Sequence, residues 1–151
     1  MKIKEKEIVF DMDGTIADLY GVENWLPMLR AEDTTPYEIA KPMYDMHNLA
    51  MVLKALQEIG WIITVTTWLA MDASQDYKNR TRKAKKDWLD KYTFPYNELH
   101  MVQYGTPKHY VTHADRQILI DDSEQVRNAW KGETINANEN ILPALIALLG
   151  E

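Results

Sequence analysis

Four short stretches carry the side chains able to do chemistry. In Ile8-Val9-Phe10-Asp11-Met12-Asp13-Gly14-Thr15 an apolar run stops abruptly at two carboxylates spaced one residue apart. Trp61-Ile62-Ile63-Thr64-Val65-Thr66 is a second apolar, β-prone run, and Thr66 with Thr67 places two hydroxyls at its end. Gly105-Thr106-Pro107-Lys108 is a turn that delivers a lysine. Ile118-Leu119-Ile120 stops again at paired carboxylates, Asp121 and Asp122. Paired carboxylates suit proton transfer and the binding of hard divalent cations, while a lysine and hydroxyls suit the oxygens of an anion.

These groups act together only if the elements before them line up. A buried strand ending in Asp-x-Asp-Gly-Thr aims a carboxylate outward at its carboxyl edge, and Gly14 lets the backbone turn sharply after it. The first strand is expected over Glu7 to Phe10, with its start reaching toward Ile3, where Lys and Glu dominate. Leu19, Val22, Trp25, Leu26 and Leu29 recur at helical spacing, which predicts a short helix interrupted near Pro27. Ala31 to Pro36 reads as a loop and Lys41-Pro42 as a turn, so residues 19–44 are expected to form a small cap-like insertion rather than a plain crossover helix.

A cleaner helix follows, with Leu49, Val52, Leu53, Leu56 and Ile59 on one face, Asp45 or Asn48 as cap and Gly60 as stop. Trp61 to Thr66 is the next strand. Tyr77, Thr81, Ala84, Trp88 and Tyr92 then mark the apolar stripe of a helix among charges. Strands are expected at Met101 to Tyr104, Gln117 to Ile120 and Glu133 to Ile135, with helices from Ser123 to Trp130 and from about Asn140 to Leu149. Strands alternating with helices predict an α/β fold: a Rossmann-like, doubly wound parallel sheet in a single domain spanning 1–151. In such a sheet all the carboxyl ends lie along one edge, where ligands bind.

The order and type of the four stretches resemble the four motifs of the haloacid dehalogenase (HAD) superfamily, mostly magnesium-dependent phosphatases and phosphotransferases. The resemblance spans essentially the whole chain and implies a HAD-like fold. It implies Asp11 as a nucleophile forming an aspartyl-phosphate, and Asp13 as the acid that protonates the leaving oxygen and then activates water. It implies Mg2+ held by the Asp11 carboxylate, the main-chain carbonyl of Asp13 and, most often, Asp122. Asp121 would then orient Lys108 or a metal-bound water. Lys108 and a threonine hydroxyl would grip the phosphoryl oxygens. Spacing does not choose between Thr66 and Thr67, and similarity to deoxyribonucleotidases is consistent with joint use.

Composition bounds the rest. With 151 residues, 46% of them apolar, the chain can bury a core of its own. It has no Cys, which excludes disulfides, thiolate metal sites and cysteine nucleophiles. The alternating charges of Met1 to Glu7 are unlike a signal peptide and no run spans a bilayer, so a cytoplasmic protein with no membrane partner is expected. A net charge of −6 argues against sequence-blind binding to phosphate backbones.

The aromatic residues bear on substrate. Tyr20, Trp25, Tyr37 and Tyr44 lie in the insertion and Trp68 follows the threonines, with Trp68 the better candidate for substrate contact and Trp25 for packing. The basic run Lys78, Arg80, Arg82, Lys83, Lys85, Lys86 and Lys91 is expected on the solvated face of its helix. The run from Ile120 to Trp130 is similar to the phosphatase domain of bacteriophage polynucleotide kinase, and Phe10 to Asp18 to deoxyribonucleotidases. The resemblance therefore implies a small phosphorylated substrate, a nucleotide first and a nucleic-acid end second. Asp18 is expected to cap the element after it rather than touch substrate. His109 and His113 stand four residues apart without a neighbouring Glu or an evident third ligand, which argues against zinc.

Overall fold

The computed structural model describes residues 4–151. Strand β1 (Lys6–Phe10) lies in the middle of a five-stranded sheet because Ile8, Val9 and Phe10 are apolar in succession and fully buried. The start of this strand expected near Ile3 lies outside the described residues. After β1, the short strands β2 (Ala17–Asp18) and β3 (Lys41–Pro42) pair antiparallel and close off the segment between them. That segment holds helices α1 (Trp25–Arg30) and α2 (Thr35–Ile39). Helix α3 (Met46–Glu58) leads to strand β4 (Trp61–Trp68), and α4 (Gln75–Lys91) to β5 (Glu98–Val102). Strand β6 (Arg116–Asp121), helix α5 (Glu124–Ala129), strand β7 (Glu133–Asn136) and helix α6 (Leu142–Leu148) complete the chain. The sheet order is β5-β4-β1-β6-β7, every neighbouring pair parallel, which is the expected Rossmann-like arrangement.

Alternation along the strands gives the two faces different coverings. Ile8, Phe10, Ile63, Val65, Ile118 and Ile120 pack against Leu49, Leu53 and Leu56 of α3, Trp88 and Leu89 of α4, and Leu145 and Leu148 of α6. The opposite face has a smaller apolar cluster of Val9, Leu119 and Trp130, against which Val126 of α5 packs. Buried polar side chains share that second face, Glu7 and Thr64 among them. Residues 103–115 connect β5 to β6 with only one 3-10 turn, Lys108–Val111, in place of a crossover helix.

The insertion differs from its expected form in instructive ways. The expected helix divides into a 3-10 turn, Leu19–Gly21, and α1, and the break falls at Asn24, whose backbone is left-handed at φ 61°. Pro27 does not interrupt: it sits in the first turn of α1, where an N–H has no intrahelical acceptor to lose. The stretch read as a loop leads into α2, which takes its last two residues and is begun by Asp33, whose carboxylate accepts from both the backbone N and the hydroxyl of Thr35. Five residues are too few to show a helical period. The Lys41-Pro42 turn is strand β3, a pairing that depends on the distant Ala17–Asp18. Asp18 accepts from Gly21 N at 3.0 Å and so caps the turn that follows it.

Elsewhere the local signals hold. Asp45 caps α3 by accepting from Asn48 N, and Ser74 caps α4 by accepting from Tyr77 N. Strand β5 begins three residues earlier than expected, because Glu98 and His100 interrupt any apolar run there. No helix among the described residues is long and apolar enough to cross a membrane.

Candidate active site

The turn after β1 is built on one carbonyl. Met12 O accepts from the backbone N of Thr15, Ile16 and Ala17, and Gly14 N donates back to Ala17 O at 2.8 Å. Gly14 sits at φ 83°, and a Cβ there would fall 2.5 Å from Asp122 Oδ2 and 2.8 Å from the Tyr20 ring. Glycine is therefore required both for the turn and for the approach of Asp122. Asp11 N continues the sheet by donating to Ile120 O at 2.9 Å, which places Asp11 beside Asp121 at the carboxyl edge.

Lys108 draws these carboxylates together. Its Nζ donates to Asp11 Oδ1 and to Asp121 Oδ2, each at 2.7 Å, with the lysine side chain 3% exposed. Burial opposes its charge, but the two carboxylates outweigh that and hold its pKa above the ordinary lysine value. Thr15 Oγ1 donates to Asp11 Oδ2 at 3.0 Å and lies 3.3 Å from Asp122 Oδ1. Ser123 N donates to Asp121 Oδ1, and fixes that carboxylate from its other side.

Asp11, Asp121 and Asp122 each present an oxygen within 4.8 Å of the others. Burial, followed by the hydrogen bond and charge of Asp11 and then the charge of Asp121, pushes the Asp122 carboxyl up to about 7. Asp121 is raised too, by burial and then by Asp11, against the pull of Lys108. An all-oxygen donor set whose members repel one another fits a hard divalent cation such as Mg2+. Such a cation would favour the ionised forms of Asp121 and Asp122.

Asp13 has a partner that sequence periodicity does not show. Lys85, expected on the solvated face of α4, has a fully buried side chain. Its Nζ donates to Asp13 Oδ2 at 2.9 Å, Thr67 Oγ1 at 2.7 Å and Trp68 O at 2.9 Å, and it stands 5.1 Å over the Tyr37 ring. A lysine emerging from the helix stripe of Tyr77, Thr81, Ala84 and Trp88 is directed inward, and three acceptors replace its water. Burial raises the Asp13 carboxyl above its ordinary value despite Lys85. The signal available in the sequence was position: Lys85 is four residues after Thr81 and adjacent to Ala84, inside the buried stripe.

The two threonines part company. Thr67 lines a cavity of about 680 Å³ together with Asp11, Asp13, Lys108, Asp121 and Asp122. Thr66 is fully buried, and its hydroxyl has no hydrogen-bond partner among the described residues. Trp68 also lines the cavity; its Nε1 donates to Thr106 O at 2.8 Å, and Lys108 Nζ lies 5.5 Å from its ring. The insertion supplies another wall, with Tyr20 and Trp25 edge to face at 4.9 Å and Tyr37 beneath them. Trp25 thus packs and lines the cavity at once. The insertion is tied to α4 by Trp88 Nε1 donating to Ala40 O, Tyr77 OH to Asp33 O, and Ser74 to Glu32.

Around the cavity floor, four carboxylates (Asp11, Asp13, Asp121, Asp122) face two ammonium groups (Lys85, Lys108). With the carboxylates ionised, the excess is negative and equals the charge of one divalent cation. No family model matches the chain, and no curated protein does. Among solved structures it is similar to the D,D-heptose 1,7-bisphosphate phosphatase from Burkholderia thailandensis, at a TM-score of 0.49 and 13% identity, covering 83% of this chain and 71% of that one.

Proposed function

We propose that the chain is a magnesium-dependent phosphomonoester hydrolase of HAD type, acting on a nucleotide or a similarly small phosphate ester. The observation that carries this reading is Lys108 held between Asp11 and Asp121, with Asp122 alongside and Asp13 across the same cavity. Bound Mg2+, held by Asp11, the Asp13 carbonyl and Asp122, would cancel charge on the phosphoryl oxygens and keep the acidic cluster ionised. Lys108 and Thr67 line the same space, and in this reading Lys108 Nζ and the Thr67 hydroxyl, which accepts from Lys85, supply hydrogen bonds to those oxygens.

Asp11 attacks phosphorus, and the bond to the leaving oxygen breaks as Asp13 gives that oxygen its proton. The upward direction of the Asp13 pKa, caused by burial, suits this, because a carboxyl so placed holds its proton to higher pH than an exposed one. Asp13, now ionised, takes a proton from water as that water attacks the aspartyl-phosphate, which frees inorganic phosphate and restores Asp11. Lys85 holds Asp13 in place through both half-reactions.

Substrate size follows from the walls. Trp68, Tyr20 and Trp25 offer aromatic faces beside the carboxylates, which suits a base or another flat group. Three of the α4 cations, Arg80, Lys83 and Lys86, pair with Asp76, Asp87 and Asp90 one turn away, which weakens that helix as a track for a polynucleotide. The test is release of phosphate from an aryl phosphate, with Mg2+ or with chelator, by wild type and Asp11→Asn. Magnesium-dependent release that Asp11→Asn abolishes supports the reading, and equal slow release by both proteins overturns it. A screen over nucleotides, sugar phosphates and phosphorylated DNA ends then ranks substrates.

A further inference from the structure

The sheet face away from the main core has a buried acid that the proposed reaction does not use. Glu7 of β1 is fully buried. Its Oε2 accepts from the Thr64 hydroxyl, and its Oε1 has no hydrogen-bond partner among the described residues. A buried carboxylate oxygen without a donor is costly, and no lysine or arginine is paired with it among the described residues.

What lies nearest is a set of further ligand types. A carboxylate oxygen of Glu7, one of Glu98 on β5 and a ring nitrogen of His113 fall within 4.8 Å of one another. His113 Nε2 is 2.9 Å from Glu98 Oε2, and its Nδ1 is 3.3 Å from Glu5 Oε2. The ring is thus held from behind by one carboxylate with its other nitrogen turned to the cluster, the way a carboxylate commonly orients a metal-bound histidine. The other Glu98 oxygen is engaged by His100 Nε2 at 3.2 Å. The His113 side chain is 51% exposed, which leaves an ion a path from solvent.

We propose that Glu7, Glu98 and His113 form a second cation site, for a zinc-type transition-metal ion. Two carboxylates and an imidazole are the borderline donor set that such ions take in preference to Mg2+, whereas the Asp11, Asp121 and Asp122 set is all oxygen. The partners missing from the spacing of His109 and His113 come from two strands far away in sequence. Bound there, the ion neutralises Glu7 and fastens residues 103–115 to β1 and β5. That segment carries Lys108 and has no crossover helix to hold it. The site therefore anchors the Lys108 turn from the far end of its segment, and this inference does not rest on the proposed reaction.

The test is Zn2+ binding by equilibrium dialysis in excess Mg2+, with wild type, His113→Ala, Glu98→Gln and Asp122→Asn. Wild type and Asp122→Asn are expected to bind one Zn2+ per chain, and His113→Ala and Glu98→Gln to bind at least about tenfold more weakly. Co2+ should give a visible absorption band in wild type that His113→Ala lacks, and Zn2+ should slow amide exchange over residues 107–115 in wild type only. His113 is half exposed, and matched melting curves for the metal-free proteins will show that its variant is folded. Equal Zn2+ uptake by wild type and His113→Ala overturns the proposal, as does uptake lost only in Asp122→Asn, which would put the ion at the aspartate cluster.

Discussion

Lys85 Nζ lies 2.9 Å from Asp13 Oδ2, a contact between residues 72 positions apart in which the lysine has no exposure to water. Removing one partner of such a pair leaves the other buried and unmatched, at a cost of about 3–5 kcal/mol. Lys85→Met is expected to lose stability on that scale and, where folded, to lose the proposed phosphatase activity by about 100-fold or more. Lys85 opposes the effect of burial on Asp13, so its loss moves the pKa of Asp13 further upward. The pH-rate limb belonging to Asp13 should move to higher pH. Chemical denaturation and a pH-rate profile check both, and an unchanged profile with wild-type kcat would remove Lys85 from the site's machinery.

The carboxylate cluster makes metal-free stability depend on pH. Asp122 is pushed up to about 7 in the folded chain by burial and by its acidic neighbours. Between the ordinary carboxylate pKa and 7 the folded protein keeps a proton that the unfolded chain has released. Stability therefore falls as pH rises through that window, the reverse of a salt-bridged carboxylate. In chelator, Asp122→Asn should melt close to wild type at pH 4 and a few degrees above it at pH 8, on a scale of about 3 °C per kcal/mol. Added Mg2+ should raise wild type at pH 8 and leave Asp122→Asn nearly unmoved. Calorimetric melts across this range decide it; a constant difference at all pH values would contradict an origin in the Asp122 proton.

Trp68 has two separable parts. Its N–H holds Thr106 O two residues before Lys108, while its ring forms cavity wall beside Tyr104, at 5.0 Å between centroids. Trp68→Phe keeps a ring face and loses the hydrogen bond, worth about 1 kcal/mol, so kcat should fall about fivefold with little change in KM. Trp68→Ala loses the wall as well and should raise KM for aromatic phosphates more than for small alkyl ones. Steady-state kinetics on an aryl phosphate and a small alkyl phosphate separate the effects. Identical changes in both variants would mean that the ring touches no substrate.

The apolar runs ending at Asp11, Thr67 and Asp121 could be read from the sequence because burial on both sheet faces removes polar residues from consecutive positions. Those runs determine a parallel sheet, and a parallel sheet brings their carboxyl ends to one edge. The cap at Asp45 was equally local, satisfied within three residues. What only the tertiary structure decided depends on groups remote in the chain. Lys85 looks like its solvated neighbours until Asp13 and Thr67 are brought beneath it; Thr67 rather than Thr66 reaches the cavity; β3 exists because Ala17 pairs with it; and Glu7, one acid in a charged stretch, becomes the buried floor of a cluster with Glu98 and His113. Periodicity reports whether a position is inside, whereas the partner that makes an inside charge tolerable is supplied by packing.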